Sequence, residues 1–252
     1  MNVLVVAPMQ REARAAGATA VGAGMHAGAR LRRLLEERPC QAVLIAGTCG
    51  ALDPSLRPGD IIVSRSVVAH DRPELPGDAR MLGAARSALG GERNRRVTFI
   101  SSRLLTVAAP VIDLDARRDL WNTFGAGGVD METYALADEA VARGVPWLAV
   151  RAVSDGSAAR MPSPVARWRD ESDDPDVMRA IARRPWCWPS AARLALGTRA
   201  ALRSLALTVP VIAGALERVD FRSVGPAGVD GQRRSPDTLV GPAAVDLDLR
   251  VR

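Results

Sequence analysis

Hydrophobic positions in the first 155 residues follow two different periods. Short apolar runs typical of buried strands are separated by segments in which apolar residues recur every three or four positions, as on one face of a helix. The runs predict strands at 2–7, 41–47, 59–70 (with a bend near Arg65), 96–102, 127–131 and 145–154, and the segments between them predict helices at 26–38, 78–89, 115–124 and 132–144. This alternation predicts an α/β fold, a single-domain mixed twisted sheet that is largely parallel and flanked by helices.

The pattern changes after residue 155. A loop rich in Pro, Ser and charged residues is followed by two helical segments, at about 175–184 and 189–207, and from about residue 219 the chain is dominated by Gly, Pro, Arg and Asp. We therefore expect one domain over 1–218 that includes both C-terminal helices, and a poorly ordered tail over 219–252.

The second C-terminal helix has an amphipathic pattern. One stripe consists of Leu194, Thr198, Ala201, Leu202 and Leu205, with Arg199 and Arg203 off it, and the helix is preceded by Trp186 and Trp188, close to Arg183 and Arg184. The stripe fits packing on the domain's own core or at a dimer interface. It also fits a helix at a membrane surface, where Trp and Arg accompany an apolar face.

Composition narrows the classes of protein. With 252 residues, 48% of them hydrophobic, the chain can bury a full domain core, and no uninterrupted apolar run reaches the roughly 18 residues of a membrane span. The N-terminus lacks the basic region and cleavage site of a signal peptide. Cys40, Cys49 and Cys187 are scattered without metal-ligand spacing, so we expect a reduced, cytoplasmic location.

The charge raises a separate alternative. A formal net charge of +6 and a pI of about 10.6 fit a basic nucleic-acid-binding protein. All 34 basic side chains are Arg, however, and they are spread along a chain rich in Ala and Gly. That pattern indicates GC-rich coding bias, and we expect no nucleic-acid partner.

Polar residues interrupt the apolar runs where the predicted strands end. They are Glu12, Thr48, Asp130, Glu132 and the segment from Arg151 to Asp155. Strand ends of this kind converge on one edge of a parallel sheet. A carboxylate accepts two hydrogen bonds from a vicinal diol, and a second carboxyl that holds a proton acts as a general acid. The set therefore suits a polyhydroxylated substrate.

Each residue taken alone also has a structural interpretation. Glu12 fits the first turn of a helix, Asp155 fits a turn cap, and Met131 fits the core. Arg151 fits a structural ion pair with Asp130 or Glu132.

Taken in order, these segments resemble the nucleoside phosphorylase and methylthioadenosine/S-adenosylhomocysteine nucleosidase superfamily. The resemblance covers residues 2–155 and rests on "VVAPMQREA", "GAG", "GTCGALDPSLRPGDIIVS" and "VDMETYALADEAVARGVPWLAVRAVSDG". Within the superfamily, the short segment before "GAG" and the C-terminal "DPDVMRAIARRPWCWPSAARLALGTRAALRSL" resemble the hopanoid-associated nucleosidase/phosphorylase group, which removes adenine from adenosylhopane.

The resemblance implies roles for these residues. Glu132 would hold the ribose hydroxyls, Met131 would line the apolar face of the sugar, and Asp155 would protonate the purine at N7. Ser154 and Arg151 would position the carboxylates, with Asp130 in the same substrate-binding set. Glu12 would orient or activate the attacking water, and Thr48 would lie near the anomeric carbon.

Some positions depart from the superfamily pattern. Asp130 stands where many nucleosidases have Glu, 101–110 lacks the aromatic residue that stacks on the purine, and the segment between Glu12 and Gly22 is short for the usual strand pair. We therefore expect the far side of the sheet to be trimmed. Ile45 and Ala46 stand where phosphorylases have Arg. This favours hydrolysis over phosphorolysis, with Arg11 or Arg30 as alternative phosphate ligands.

We therefore expect an enzyme that cleaves the N-ribosidic bond of a purine nucleoside, releasing adenine from a 5′-substituted adenosine such as adenosylhopane. The alternatives are a phosphorolytic enzyme and a nucleoside-binding protein without activity. We expect no cofactor other than inorganic phosphate as a co-substrate, and a homodimer in the cytoplasm. Peripheral contact with the inner membrane surface and a lipid-linked substrate stay open.

Overall fold

The computed structural model describes residues 2–91, 97–167 and 175–221. Within these ranges the strands are β1 (Val3–Ala7), β2 (Thr19–Ala20), β3 (Ala42–Ala51), β4 (Ile61–Ala69), β5 (Leu75–Pro76), β6 (Phe99–Thr106), β7 (Ala126–Asp130) and β8 (Trp147–Asp155). The α-helices among the same residues are α1 (Gln10–Ala16), α2 (Ala27–Glu37), α3 (Ala79–Gly90), α4 (Leu114–Phe124), α5 (Thr133–Ala142), α6 (Pro175–Ala182) and α7 (Trp188–Leu216). The elements predicted before residue 155 are all present with shifted end points.

The strands form one mixed sheet that closes on itself. β3, β8, β4, β6 and β7 each pair with the next, and β7 pairs back onto β3 in antiparallel orientation. β1 and β2 extend the sheet from β3 in parallel, and β5 pairs with β4. The bend expected near Arg65 is a bulge, because the β4–β6 register shifts between Ser64 and Ser66. The predicted mixed α/β fold is confirmed.

Two glycines allow β7 to fit between its neighbours. A Cβ on Gly128 would lie 2.8 Å from Ile62 Cδ1 and 2.9 Å from Cys49 Sγ. A Cβ on Gly127 would lie 2.8 Å from Ser102 Oγ. The "GGV" run therefore lets the backbone approach closely, and it brings Asp130 to the end of β7 beside β3.

Helices cover both faces of the sheet. α2 and α5 pack on one face, and α1, α3 and α7 pack on the other. α7 extends well beyond the predicted 189–207, because its apolar periodicity continues through Val209, Ile212 and Leu216, which are buried. Val219 and Phe221 also pack on this core. The rest of the predicted tail lies outside the described residues.

The segment between β1 and α2 holds α1, β2 and a 3-10 helix at Gly24–His26, none of which we predicted as elements. α1 has only seven residues and ends at Gly17 in the left-handed conformation (φ 64°). β2, with two residues, ends the sheet on this side. These elements are too short to show a clear hydrophobic period.

Candidate active site

The predicted polar residues surround one cavity of about 450 Å³ at the ends of β3, β7 and β8. Thr48, Ser154 and Asp155 line it from two of these strands. Asp130, Met131 and Glu132 line it from the junction of β7 and α5. Glu12 and Arg151 are buried and contact these residues from behind.

The carboxylate of Asp130 is occupied by the protein itself. Thr106 Oγ1 donates to its Oδ1 at 2.7 Å, and the N–H groups of Glu132 and Thr133 donate to the same oxygen at 3.3 and 3.2 Å. Asp130 therefore satisfies two N–H groups at the start of α5, whose N-cap residue is Glu132. Its Oδ2 lies 2.8 Å from Nε of Arg151 and accepts from the Thr133 hydroxyl.

Arg151 is fully buried and does not line the cavity. Burial alone would lower its pKa, but the nearby carboxylates of Asp130 and Glu132 raise it above the ordinary value. Gly47 makes room for the guanidinium, because a Cβ there would lie 1.9 Å from Nη1 of Arg151. The geometry shows the ion pair with Asp130, so Arg151 supports a carboxylate that lines the cavity without lining it itself.

Glu132 lines the cavity as Asp130 does, but its carboxylate has a different protein partner. Its Oε1 accepts from the N–H of Gly24 at 3.1 Å, which connects α5 to the "GAG" segment. Burial, partly offset by Arg151 and reinforced by the charge of Asp130, raises the pKa of Glu132 to about 7. An Asp-Met-Glu triplet therefore supplies one structural carboxylate and one that can change its charge near neutral pH.

Glu12 is held behind Thr48. The N–H and the hydroxyl of Thr48 both donate to Oε1 of Glu12, at 2.8 and 2.6 Å, and the N–H of Met9 donates to Oε2 at 3.1 Å. Three donors converge on one buried carboxylate, and this arrangement fixes Thr48 at the cavity surface.

Both oxygens of Asp155 have a close partner. The Ser154 hydroxyl donates to Oδ1 at 2.6 Å, and Nη2 of Arg117 lies 2.6 Å from Oδ2. Arg117 is itself buried, and it donates to the carbonyls of Val111 and Gly156 at 2.9 and 3.0 Å. A Cβ on Gly50 would lie 3.1 Å from Oδ2 of Asp155, so glycine also opens the space at this pair.

Sequence reasoning missed Arg117. It lies in α4 next to Arg118, which is exposed and pairs with Asp115 on the helix surface. The helical spacing held a signal that could have found it. Arg117 falls on the apolar face of α4 with Leu120, Trp121 and Phe124, which pack on the core, whereas Arg118 lies off that face.

The other side of the cavity is an apolar wall that we also did not predict. Val107, Pro110 and Val111 follow β6, and the loop after β8 contributes Met161, Pro162 and Val165. The C-terminal helices complete the wall with Ile181 from α6 and with Ala191, Leu194, Ala195, Thr198 and Leu202 from α7. No aromatic side chain is among the described residues that line the cavity.

The amphipathic stripe of α7 therefore lies partly in the cavity wall and partly in the core. Leu194, Thr198 and Leu202 face the cavity, whereas Ala201 and Leu205 are buried in the core. The helix reaches this position through Gly197, where a Cβ would lie 2.0 Å from the carbonyl oxygen of Ser154. Backbone contact at this glycine sets the apolar wall directly against the end of β8.

The site has no arrangement typical of a metal centre. Within the described ranges, no group of three His, Cys, Asp or Glu side chains could hold a metal ion.

A sequence profile of the phosphorylase superfamily matches residues 3–183, and the chain belongs to this superfamily. Among individual proteins, it is 28% identical over 183 residues to the 5′-methylthioadenosine/S-adenosylhomocysteine nucleosidase of Mycobacterium tuberculosis. That alignment covers 58% of this chain and 69% of the relative.

Solved structures show the same fold. The 5′-methylthioadenosine/S-adenosylhomocysteine nucleosidase of Neisseria meningitidis, in complex with methylthio-immucillin-A, superimposes with a TM-score of 0.65 at 15% identity, covering 84% of this chain and 97% of that one. The futalosine hydrolase of Helicobacter pylori gives a TM-score of 0.63 at 13% identity, covering 86% and 97%.

Proposed function

We propose that the protein is a nucleosidase that hydrolyses the N-ribosidic bond of an adenosine with a large apolar 5′ substituent, adenosylhopane being the leading candidate. The expected coarser class, an enzyme that cleaves N-glycosidic bonds, is confirmed by the superfamily and by the nucleosidase relatives. The finer assignment is supported by one observation above all. A single cavity joins the carboxylates at the strand ends to an apolar wall contributed by α6 and α7.

At the sugar end, Glu132 is the group that binds the ribose hydroxyls. It lines the cavity beside Met131, whose side chain offers an apolar surface to the sugar ring. Positive charge develops on the ribose as the N-ribosidic bond breaks, and an ionised Glu132 stabilises it.

At the base end, Asp155 is the general acid. Ser154 and Arg117 fix the orientation of its carboxyl group, and Val107, Pro110 and Val111 provide aliphatic contacts in place of an aromatic stacking partner. The proton of Asp155 goes to N7 as the bond between N9 and the anomeric carbon breaks. The guanidinium of Arg117 stabilises the negative charge that develops in this region.

The attacking group is a water molecule beside Thr48. Its oxygen bonds to the anomeric carbon, and its proton passes to the Thr48 hydroxyl as that hydroxyl gives its own proton to Glu12, whose carboxylate is held by Thr48 and Met9. Ile45 and Ala46 support hydrolysis, because both are fully buried in the core and neither could bind phosphate. The phosphorolytic alternative rests on Arg11, which lines the cavity.

The test is adenine release by the purified protein, measured with and without phosphate. Substrates are adenosine, 5′-methylthioadenosine and a series of 5′-alkylthioadenosines of increasing chain length. We expect release in phosphate-free buffer and a kcat/KM that rises with chain length. Strict dependence on phosphate would identify a phosphorylase, and binding of these nucleosides without adenine release would identify a protein that has lost activity.

A further inference from the structure

The outward side of α7 and the turn before it concentrate exposed apolar side chains. Among the described residues, six large apolar side chains are exposed, and five of them lie here: Trp186 (74% exposed), Trp188 (55%), Leu196 (63%), Leu207 (51%) and Val211 (42%). The sixth, Val141, lies on α5. We call these five residues, with the exposed Arg193, Arg199 and Arg203, the outer face of α7.

The charge of this region differs from that of the rest of the chain. Residues 177–216 contain six arginines and no Asp or Glu, whereas the whole chain has 34 basic and 28 acidic residues. Tryptophan and leucine interspersed with arginine, without acidic residues, complement a surface whose outer layer is negatively charged and whose interior is apolar. An anionic lipid surface has both properties.

The opposite side of the same helix forms part of the active-site cavity. Leu194, Thr198 and Leu202 face the cavity, and Ala191 continues this lining toward the N-terminal end of α7, where Trp186 and Trp188 are exposed. A lipid-linked nucleoside held at a surface that contacts the outer face would therefore have a short path into the apolar part of the cavity.

The helix lies on the domain and is part of its core. By length and composition, Pro185–Leu216 would suffice to cross a membrane. Its inward side is instead packed on β8 and α3, with Ala201, Leu205 and Ile212 buried. Insertion across a bilayer would expose that core, so the geometry fits a helix that rests on a membrane surface.

We propose that the outer face of α7 docks the protein on an anionic membrane surface, where the substrate's lipid part enters the cavity along α7. The docking itself stands on the exposed residues and their charge, and only the route of the substrate rests on the proposed function. A second copy of this chain is the competing occupant of the same face.

The experiment is flotation of the full chain with vesicles of phosphatidylcholine containing phosphatidylglycerol, and with vesicles of phosphatidylcholine alone. Wild type should float with the anionic vesicles and dissociate as salt is raised. The double variant Arg199→Gln/Arg203→Gln should bind about thirtyfold more weakly, since each arginine near an anionic surface contributes roughly fivefold. The double variant Trp186→Ser/Trp188→Ser should lose flotation.

Matched controls lie elsewhere on the surface. Val141→Ser removes an exposed apolar side chain from α5, and Arg33→Gln removes an exposed charge from α2. Both should float like wild type, and circular dichroism should show the same helix content for every variant. Equal binding of variants and wild type, or no flotation of folded wild type at low salt, would overturn the proposal.

Two further measurements separate the remaining outcomes. If sedimentation shows a wild-type dimer that becomes monomeric in the tryptophan variant, with no vesicle binding by either, the face is a dimer interface and the proposal is wrong. Adenine release from water-soluble nucleosides is measured in the same preparations without vesicles. If the protein releases adenine but does not float with vesicles, only the membrane-docking proposal is wrong. If it floats with vesicles but releases no adenine, only the nucleosidase assignment is wrong.

Discussion

The cavity has two sides that are built in different ways. On the polar side, each functional carboxylate is held by partners from other elements: Glu12 by Thr48 and Met9, Glu132 by Gly24, and Asp155 by Arg117. On the apolar side, the wall consists mainly of aliphatic side chains along α6, α7 and two loops. Under the proposed function, the chemistry depends on hydrogen-bond geometry on one side, and the volume of the other side selects the size and shape of the ligand.

The largest loss of activity is expected on the polar side, on substitution of Asp155. Asp155→Asn removes the proton donor but keeps the size of the side chain. Adenine release should fall by about 10²- to 10⁴-fold, because this is the usual contribution of a general acid. Single-turnover assays measure the loss, and Asp119→Asn, on the exposed side of α4, serves as the control. Turnover close to that of wild type would remove Asp155 from the mechanism.

The second-largest loss of activity is expected on substitution of Arg117. Arg117→Ala removes the guanidinium that contacts the carboxyl group of Asp155 and donates to the carbonyls of Val111 and Gly156, so the buried acid loses its orienting partner. We expect kcat to fall about 100-fold with a small change in KM, since the guanidinium orients the acid and stabilises developing charge. Arg118→Ala, one residue further along the exposed side of α4, should not have this effect.

Chemical rescue distinguishes positioning from a general loss of folding. Guanidinium ion added to Arg117→Ala, at concentrations that leave its circular dichroism unchanged, should restore part of kcat. If thermal unfolding is shifted and the rescue fails, Arg117 has a structural role only.

The charge state of Glu132 should make the polar side sensitive to pH. Because the folded-state pKa is about 7 and the ordinary value is 4.5, the folded protein retains this proton over that interval while the unfolded chain loses it. The free energy of unfolding should therefore fall as pH rises from about 4.5 to 7 and then level off, and Glu132→Gln should flatten this change.

Activity should follow the opposite course. In the proposed mechanism the ionised carboxylate is the form that binds ribose and stabilises its charge, so kcat/KM at pH 6 should be about tenfold below its value above pH 8. Profiles of kcat/KM against pH for wild type and Glu132→Gln test this. An identical acid limb in both proteins would assign the titration to another group.

The smallest effect is expected on the apolar side and should depend on the substrate. Leu194→Ser should lower kcat/KM about fivefold for a long-chain 5′-alkylthioadenosine, because a partly buried leucine contributes about 1 kcal/mol. Adenosine itself should be turned over as by wild type. Leu196→Ser, two residues along and exposed, is the control in this soluble assay. Equal losses with both substrates would show that the wall acts on the chemistry and not on ligand size.

The same contrast explains what could be predicted from sequence. The residues of the polar side could be predicted because charged residues stand out at the ends of apolar runs, and strand ends in such sheets converge. The apolar wall could not be predicted from the sequence. Leu194 and Leu205 belong to the same apolar stripe of the helix, although Leu194 faces the cavity and Leu205 the core. Asp130 required tertiary contacts, which decide the partners of its carboxylate, whereas the position of Arg117 on the apolar face of α4 was a signal that we missed.

Gly197 connects the two sides and constrains how such an enzyme can evolve. The backbone of α7 touches the carbonyl of Ser154 there, with no side chain between them to absorb a shift. Moving the helix outward to admit a wider ligand would break its contact with the end of β8, next to Asp155. We therefore do not expect the cavity to widen in evolution by displacement of α7. Replacement of individual residues at 194, 198 and 202 leaves that contact intact. New substrate ranges should therefore arise by single substitutions along α7 while the catalytic carboxylates stay in place.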